Sequence, residues 1–174
     1  NGSLVSNSGY AHIRLMINLN QYLTSEIFTQ REFNDFTKLQ SRSLIGTGLR
    51  LEPLHNLFKH DSINYNFSIG SGFMYENEIL NDSIKPETNL LRSTNYLNFQ
   101  WKPSYHTKLM TITYFQFDLN DFQDFRILNN TSLIMSITKY VKVFISIVYR
   151  YDNLPPTSVI NYDFEMKNGL SIEF

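Results

Sequence analysis

Cysteine is absent from this chain of 174 residues. That removes disulfide frameworks, thiolate metal sites and cysteine nucleophiles together. A surplus of one charge sign is missing too: 15 Lys and Arg stand against 16 Asp and Glu, for a net charge of −1. Nucleic acid, which needs a basic surface, is therefore excluded as a partner. No uninterrupted apolar run approaches the roughly 18 residues that a membrane helix requires. The opening Asn1-Gly-Ser-Leu-Val-Ser is neither basic nor followed by the apolar core of a secretory leader. For an exported protein this would mark a mature form or a fragment.

What is present is aromatic and small polar. Phe, Tyr and Trp make up 15% of the chain, with 11 Tyr and 14 Phe, and Asn and Ser are plentiful. With a mean hydropathy of −0.27, this composition fits a barrel that is apolar outside and wet inside. A soluble all-β domain is the alternative that composition leaves open.

Patterning decides between them. The stretch 162–174, YDFEMKNGLSIEF, sets Tyr162, Phe164, Met166, Leu170, Ile172 and Phe174 on one side, with Asn168 the single break. Asp163, Glu165, Lys167, Ser171 and Glu173 fall on the other, with Gly169 among them. A period of two is the strand period, so one face meets an apolar phase and the other a polar one. Earlier segments repeat the pattern at 10–19, 23–33, 39–51, 62–78, 90–102, 125–138 and 142–152, parted by turn-like clusters. The segment 106–117 is ambiguous, because both of its phases carry apolar residues.

No segment has a helical period, and no repeat of 20 to 50 residues appears. Long strands, aromatics near strand ends (Tyr10, Phe33, Tyr75, Trp101, Tyr149, Tyr151, Tyr162, Phe174) and a polar phase rich in Gly and Asn favour the membrane. The expected fold is all-β, one domain over 1–174: an antiparallel transmembrane β-barrel of the bacterial outer membrane, with about nine strands here.

In such barrels the last strand ends on the periplasmic side. Counting back places the connections 153–161, 118–124, 79–87 and 34–38 outside the cell. The connections 139–140, 103–104, 52–60 and 20–21 then lie inside. The first residues then fall outside, whereas single-chain bacterial barrels have an even strand number and periplasmic termini. The expectation is that one or, better, three N-terminal strands precede this sequence, giving twelve in the complete protein.

Several runs carry a resemblance. They are YAHIRLMIN (10–18), EIFTQREFNDF (26–36), RSLIGTGLRL (42–51), LLRSTNYLNF (90–99) and ITYFQFDLNDFQDFRI (112–127). YDNLPP (151–156) and NGLSIEF (168–174) complete the series. Together they resemble the domain-of-unknown-function family 481, putative salt-induced outer-membrane proteins, of the Bacteroidota type. Phe117 departs from the pattern, which has Pro after the Tyr-x-Gln. The resemblance implies an outer-membrane barrel, and family members usually have further strands ahead of the segment matching Tyr10. It implies no established activity.

The polar phase supplies the candidate site. His12, Arg14, Glu26, Glu32, Arg42, Arg50, Glu76, Arg92, Arg150, Asp163, Glu165 and Lys167 share it, with nearly balanced signs. Charges that pair across strands and fill a narrow lumen are the plainer account, since an unpaired buried charge is costly. A selectivity ring in a pore is the sharper one. None of His12, His55, His60 and His106 lies in a nucleophile motif, so no catalytic residue and no cofactor are expected. A metal on His55, His60 and Asp61 is conceivable chemically, but a solvated turn is the simpler reading of those residues. Gly46-Thr-Gly48 and Gly70-Ser-Gly72 sit at strand period, where a missing side chain leaves room for a neighbour.

The favoured function is a barrel without enzymatic activity, a structural or accessory subunit of an outer-membrane complex. A small-solute channel and a lipid-modifying enzyme are the alternatives. Expected partners are outer-membrane lipid, other outer-membrane proteins, and the barrel-assembly machinery. The last would be engaged through Phe164, Met166, Leu170, Ile172 and Phe174.

Overall fold

The computed structural model describes residues 7–53, 64–81, 84 and 87–172. They form nine strands: β1 (Ser8–Asn18), β2 (Leu23–Asn34), β3 (Leu39–Leu51), β4 (Asn64–Leu80), β5 (Glu87–Ser104), β6 (Thr107–Asp118), β7 (Phe125–Ser136), β8 (Val141–Asp152) and β9 (Tyr162–Ile172). Every strand pairs antiparallel with its neighbours in sequence, giving one sheet in the order β1 to β9. One turn of 3-10 helix, Asp35–Thr37, connects β2 to β3. No helix among the described residues is long and apolar enough to cross a membrane. The fold class is all-β; β1 and β9 are the two edges of the sheet and do not pair with each other.

The register sorts side chains into two faces, since residues directly opposite in a ladder point the same way. One row runs Arg14, Phe28, Gly46, Met74, Arg92 and Asp118 across β1 to β6. The next runs Met16, Glu26, Gly48, Gly72, Thr94, Gln116, Arg126 and Asp152 across β1 to β8. This face is concave. Tyr96 on β5 donates to Glu26 on β2 at 2.9 Å, and Arg126 on β7 reaches Glu78 on β4 at 3.0 Å. Strands three places apart in a flat sheet lie about 14 Å apart, so these contacts need a rolled one.

The opposite, convex face carries Ile13, Leu15, Ile27, Ile45, Leu49, Ile69, Phe73, Leu97, Phe164, Met166, Leu170 and Ile172, all exposed. Register also settles the ambiguous sixth strand. Tyr114 pairs with Tyr96 and Gln116 with Thr94, so Met110, Ile112, Tyr114, Gln116 and Asp118 face inward and Thr111, Thr113, Phe115 and Phe117 outward. Tyr10 is a correction to the expected girdle. It pairs with Glu32, so it stands on the concave face, stacked on His12 at 6.2 Å. β5 begins three residues earlier than the alternation suggested, at Glu87, and β7 ends two earlier, at Ser136. Ile63, Phe174 and the connection 54–63 lie outside the described residues.

Glycines set the curvature. Gly48 and Gly72 stand directly opposite each other in β3 and β4. A Cβ on Gly72 would come within 2.3 Å of the Thr47 carbonyl oxygen and 2.7 Å of the Gly48 Cα. Nearby, aromatic rings lie over glycines on the next strand: Phe28 over Gly46, Tyr96 over Gly70, and Phe144 over Gly169. Each ring fills the space a side chain would have taken.

The two kinds of glycine should respond differently to alanine. Gly72→Ala meets backbone and is expected to destabilise by about 2 kcal/mol or more. Gly169→Ala meets only the tip of the Phe144 ring, which can swing, and should cost less than about 1 kcal/mol. Urea unfolding of the two variants in detergent, followed by circular dichroism, checks the order.

Candidate functional site

Charged residues at strand positions facing a concave surface must find partners or water. Along the inner face near the ends joined by the β2–β3, β4–β5, β6–β7 and β8–β9 connections, they find each other. Arg92, on β5, is sealed at 0% exposure, and Glu76, on β4, is at 1%. The Arg92 Nε donates to Glu76 Oε1 at 3.0 Å, and its Nη2 to Asp124 Oδ1 at 2.8 Å. Arg126, on β7, donates to Glu76 Oε1 at 2.9 Å, to Glu78 Oε2 at 3.0 Å and to Asp152 Oδ2 at 2.8 Å. Arg42, on β3, donates to Glu78 Oε2 at 2.8 Å and pairs with Glu32. Three guanidiniums thus face five carboxylates, and one Glu76 oxygen receives both Arg92 and Arg126.

Nearer the opposite ends of the strands lies a smaller group. Glu26, 3% exposed, takes Arg14 at 3.3 Å and the Tyr96 hydroxyl at 2.9 Å. Arg50 lies 4.0 Å from Glu26 and 2.9 Å from Glu52. The Arg14 guanidinium stands over the Phe28 ring at 5.4 Å. Cation–π contact adds about 1 kcal/mol to such a pair when it is partly desolvated.

Of the residues expected from the alternating pattern, Glu32, Arg42, Glu76 and Arg92 meet in the larger cluster. Arg14, Glu26 and Arg50 meet in the smaller. His12 borders both, with its Nδ1 3.3 Å from Gln30 Oε1. The others stay apart from these groups. Arg150 and Asp163 form a pair at 2.9 Å, each about half exposed, and Glu165 pairs with Lys167 on β9 itself. Phe164, Met166, Leu170 and Ile172 point outward from β9. Phe174, and the proposed metal ligands His55, His60 and Asp61, fall outside the described residues.

Four members of the larger cluster are new. Glu78 lies two residues beyond Glu76 in the same phase, so the phase of β4 identifies it. Arg126 could be reached by extending the outward series Leu133 and Met135 back to Ile127 and Phe125. Asp152 faces Arg126 directly across the β7–β8 ladder. Asp124 belongs to a connection, and nothing in a strand period points to it.

Chemically, the arrangement pairs buried charges of opposite sign. The buried Glu76 and Glu78 are each held by more than one guanidinium group, in the multidentate geometry that Arg favours. Among the described residues no group of three or more His, Asp or Glu is placed to hold a metal ion.

A family model described as "Protein of unknown function, DUF481" matches residues 1–174, and the chain belongs to that family. No curated protein and no solved structure matches it significantly.

Breaking the larger cluster should be costly and breaking the outlying pair cheap. Arg126→Ala takes one guanidinium from the buried Glu76 and Glu78 and breaks the ion pair with Asp152, and is expected to destabilise by about 3 kcal/mol. Arg150→Ala removes a half-exposed pair and should cost less than about 1 kcal/mol. Denaturant titration of both variants beside the parent protein measures the difference.

Proposed function

We propose that this member of the family is a β-barrel of the bacterial outer membrane that serves as a structural or accessory subunit of an outer-membrane complex. The observation that carries this reading is the inversion of the two faces. The convex face carries exposed Ile, Leu, Phe or Met on β1 to β6 and on β9, interspersed with Thr, Ser and Asn, while the concave face buries arginines and carboxylates. Soluble monomers rarely expose apolar patches larger than a few hundred Å². Lipid is the solvent that makes such a surface favourable.

Aromatics add support. On the outer side of β6 to β8, near the ends that carry the larger cluster, Phe115, Phe117, Phe122, Phe125 and Tyr151 form a chain of ring contacts. Its spacings are 5.5 to 5.8 Å. On β4 and β5, near the opposite ends, Tyr65 stacks on Trp101 at 6.0 Å. Aromatic groups at both heights suit the two interfaces of a bilayer. In hydrocarbon no backbone edge is tolerated, so β1 and β9 each need a strand partner within the membrane. The outward row Phe164, Met166, Leu170 and Ile172 on β9 is the surface offered to lipid and to the assembly machinery.

The filled inner face favours a subunit over a channel or an enzyme. Glu76, the most enclosed carboxylate, is engaged by three arginines, which leaves it no capacity as a general base. An ion-paired cluster that spans from β2 to β8 obstructs the interior near the loop ends.

Two measurements test this. Purified protein in planar bilayers is expected to give no unitary conductance steps; regular steps would favour the small-solute channel. Gentle detergent extraction of the native membrane should yield one species on native gels, containing a second outer-membrane protein in fixed stoichiometry. Migration of the chain alone would overturn the accessory-subunit reading.

A further inference from the structure

The ladders shift register at two places: beside the β5–β6 turn, between Trp101 and Ser104, and at the corner where β2, β3 and β4 meet. Between β2 and β3 the ladder passes from Glu32–Arg42 to Asn34–Leu39, so Phe33 alone stands against Gln40 and Ser41. On the other side of β3, Leu39 pairs with Leu80 and Ser41 with Ile79, leaving Gln40 without a partner residue. Just before this bulge, Lys38 has a φ of 55°, in the left-handed region that side chains disfavour. Bulges and strained backbone gather where a side chain has to be re-aimed.

What they frame here is a recess of about 450 Å³, lined by Asn7, Phe33, Asp35, Lys38, Gln40 and Asn81. That volume lies within the range of small-ligand sites. Its two charges are already engaged. Asp35 accepts from Asn7 Nδ2 at 2.9 Å, and Lys38 Nζ donates to the Thr157 carbonyl at 2.8 Å. Asn81 uses its backbone N–H, donated to the Lys38 carbonyl at 2.8 Å. The side-chain carboxamides of Gln40 and Asn81 have no hydrogen-bond partner among the described residues. The Phe33 ring lies against Gly9 and remains 39% exposed.

This is a neutral site with an aromatic wall. Lys38 and Asp35 cancel in sign, so the recess has no net charge to select an anion, and one carboxylate is too few ligands for a metal ion. Two carboxamides present paired donors and acceptors, which match hydroxyl groups that are both at once. An exposed ring can stack on the C–H face of a pyranose. We infer that this recess binds a saccharide, either the sugar headgroup of a membrane glycolipid or a free oligosaccharide. The inference rests on the outer-membrane location proposed above and goes beyond the accessory-subunit role, on which it does not depend.

The test uses the full chain in deuterated detergent and saturation-transfer difference NMR with two probes. One is the core oligosaccharide released from lipopolysaccharide; the other is intact lipopolysaccharide. Transfer to sugar ring protons of the free oligosaccharide supports the site and a soluble source. Transfer with the intact glycolipid alone supports the site and a lipid-borne source. Gln40→Leu and Asn81→Leu, which remove no internal side-chain hydrogen bond, should each weaken binding about tenfold at unchanged thermal stability. Absence of transfer with both probes would overturn the proposal, and so would leucine variants that bind as the parent does.

Discussion

The tie from Arg126 to Glu76 and Glu78 sets the terms for the rest of the structure. A guanidinium on the seventh strand and two carboxylates on the fourth can share hydrogen bonds only if the sheet between them is rolled. Burial makes the requirement strict, because each group would otherwise lose water without compensation. Glycines supply the bending, with Gly48 and Gly72 letting β3 and β4 approach where a Cβ would strike backbone. Rolling in turn decides which face looks outward, and that face is the one richer in large apolar side chains. The energetic content of the interior is thus electrostatic pairing with a few rings packed over glycines. Among the described residues the apolar cluster of buried side chains is small: Phe28, Leu44 and Met74.

Much of this was legible in the sequence because a strand has only two faces. Once Phe73 and Tyr75 are assigned outward, Met74 and Glu76 have nowhere else to go. The strands and their order follow from that rule and from short connections. It fails where both phases are apolar: Met110 and Ile112 face inward beside Asn98 and Gln100, and only pairing to β5 decides their side. It fails again at the rim. The bulge at Gln40 arises from how three strands meet, and no residue in the segment 39–51 announces it. Asp124 joins the cluster from a connection, where phase has no meaning. Tyr10 shows a subtler limit, since an aromatic residue near a strand end suits a membrane girdle and an inner stack equally well.

The two ionic groups also differ in kind. The larger one is closed and multidentate, with carboxylates outnumbering guanidiniums. The smaller one mixes charge with Tyr96 and Phe28, so its stability draws on cation–π contact and a hydroxyl as much as on ion pairing. Between them the rows of Gly and Thr leave the inner wall of β3 to β5 thin. Toward β8 and β9 the inner charges loosen into exposed pairs, because no described strand curls back far enough to cover them.

One consequence concerns the order in which the chain can be laid down. Every strand pairs only with its neighbours in sequence, so the sheet can grow one hairpin at a time. The larger cluster cannot. It draws Arg42 from β3, Glu76 and Glu78 from β4, Arg92 from β5, Arg126 from β7 and Asp152 from β8. A partly assembled sheet of six strands would hold Glu76 and Glu78 without one of their guanidinium partners, Arg126, which arrives only with the seventh. Completion of the ion-pair network inside the sheet therefore works as a checkpoint in time, reached late in the chain's own sequence.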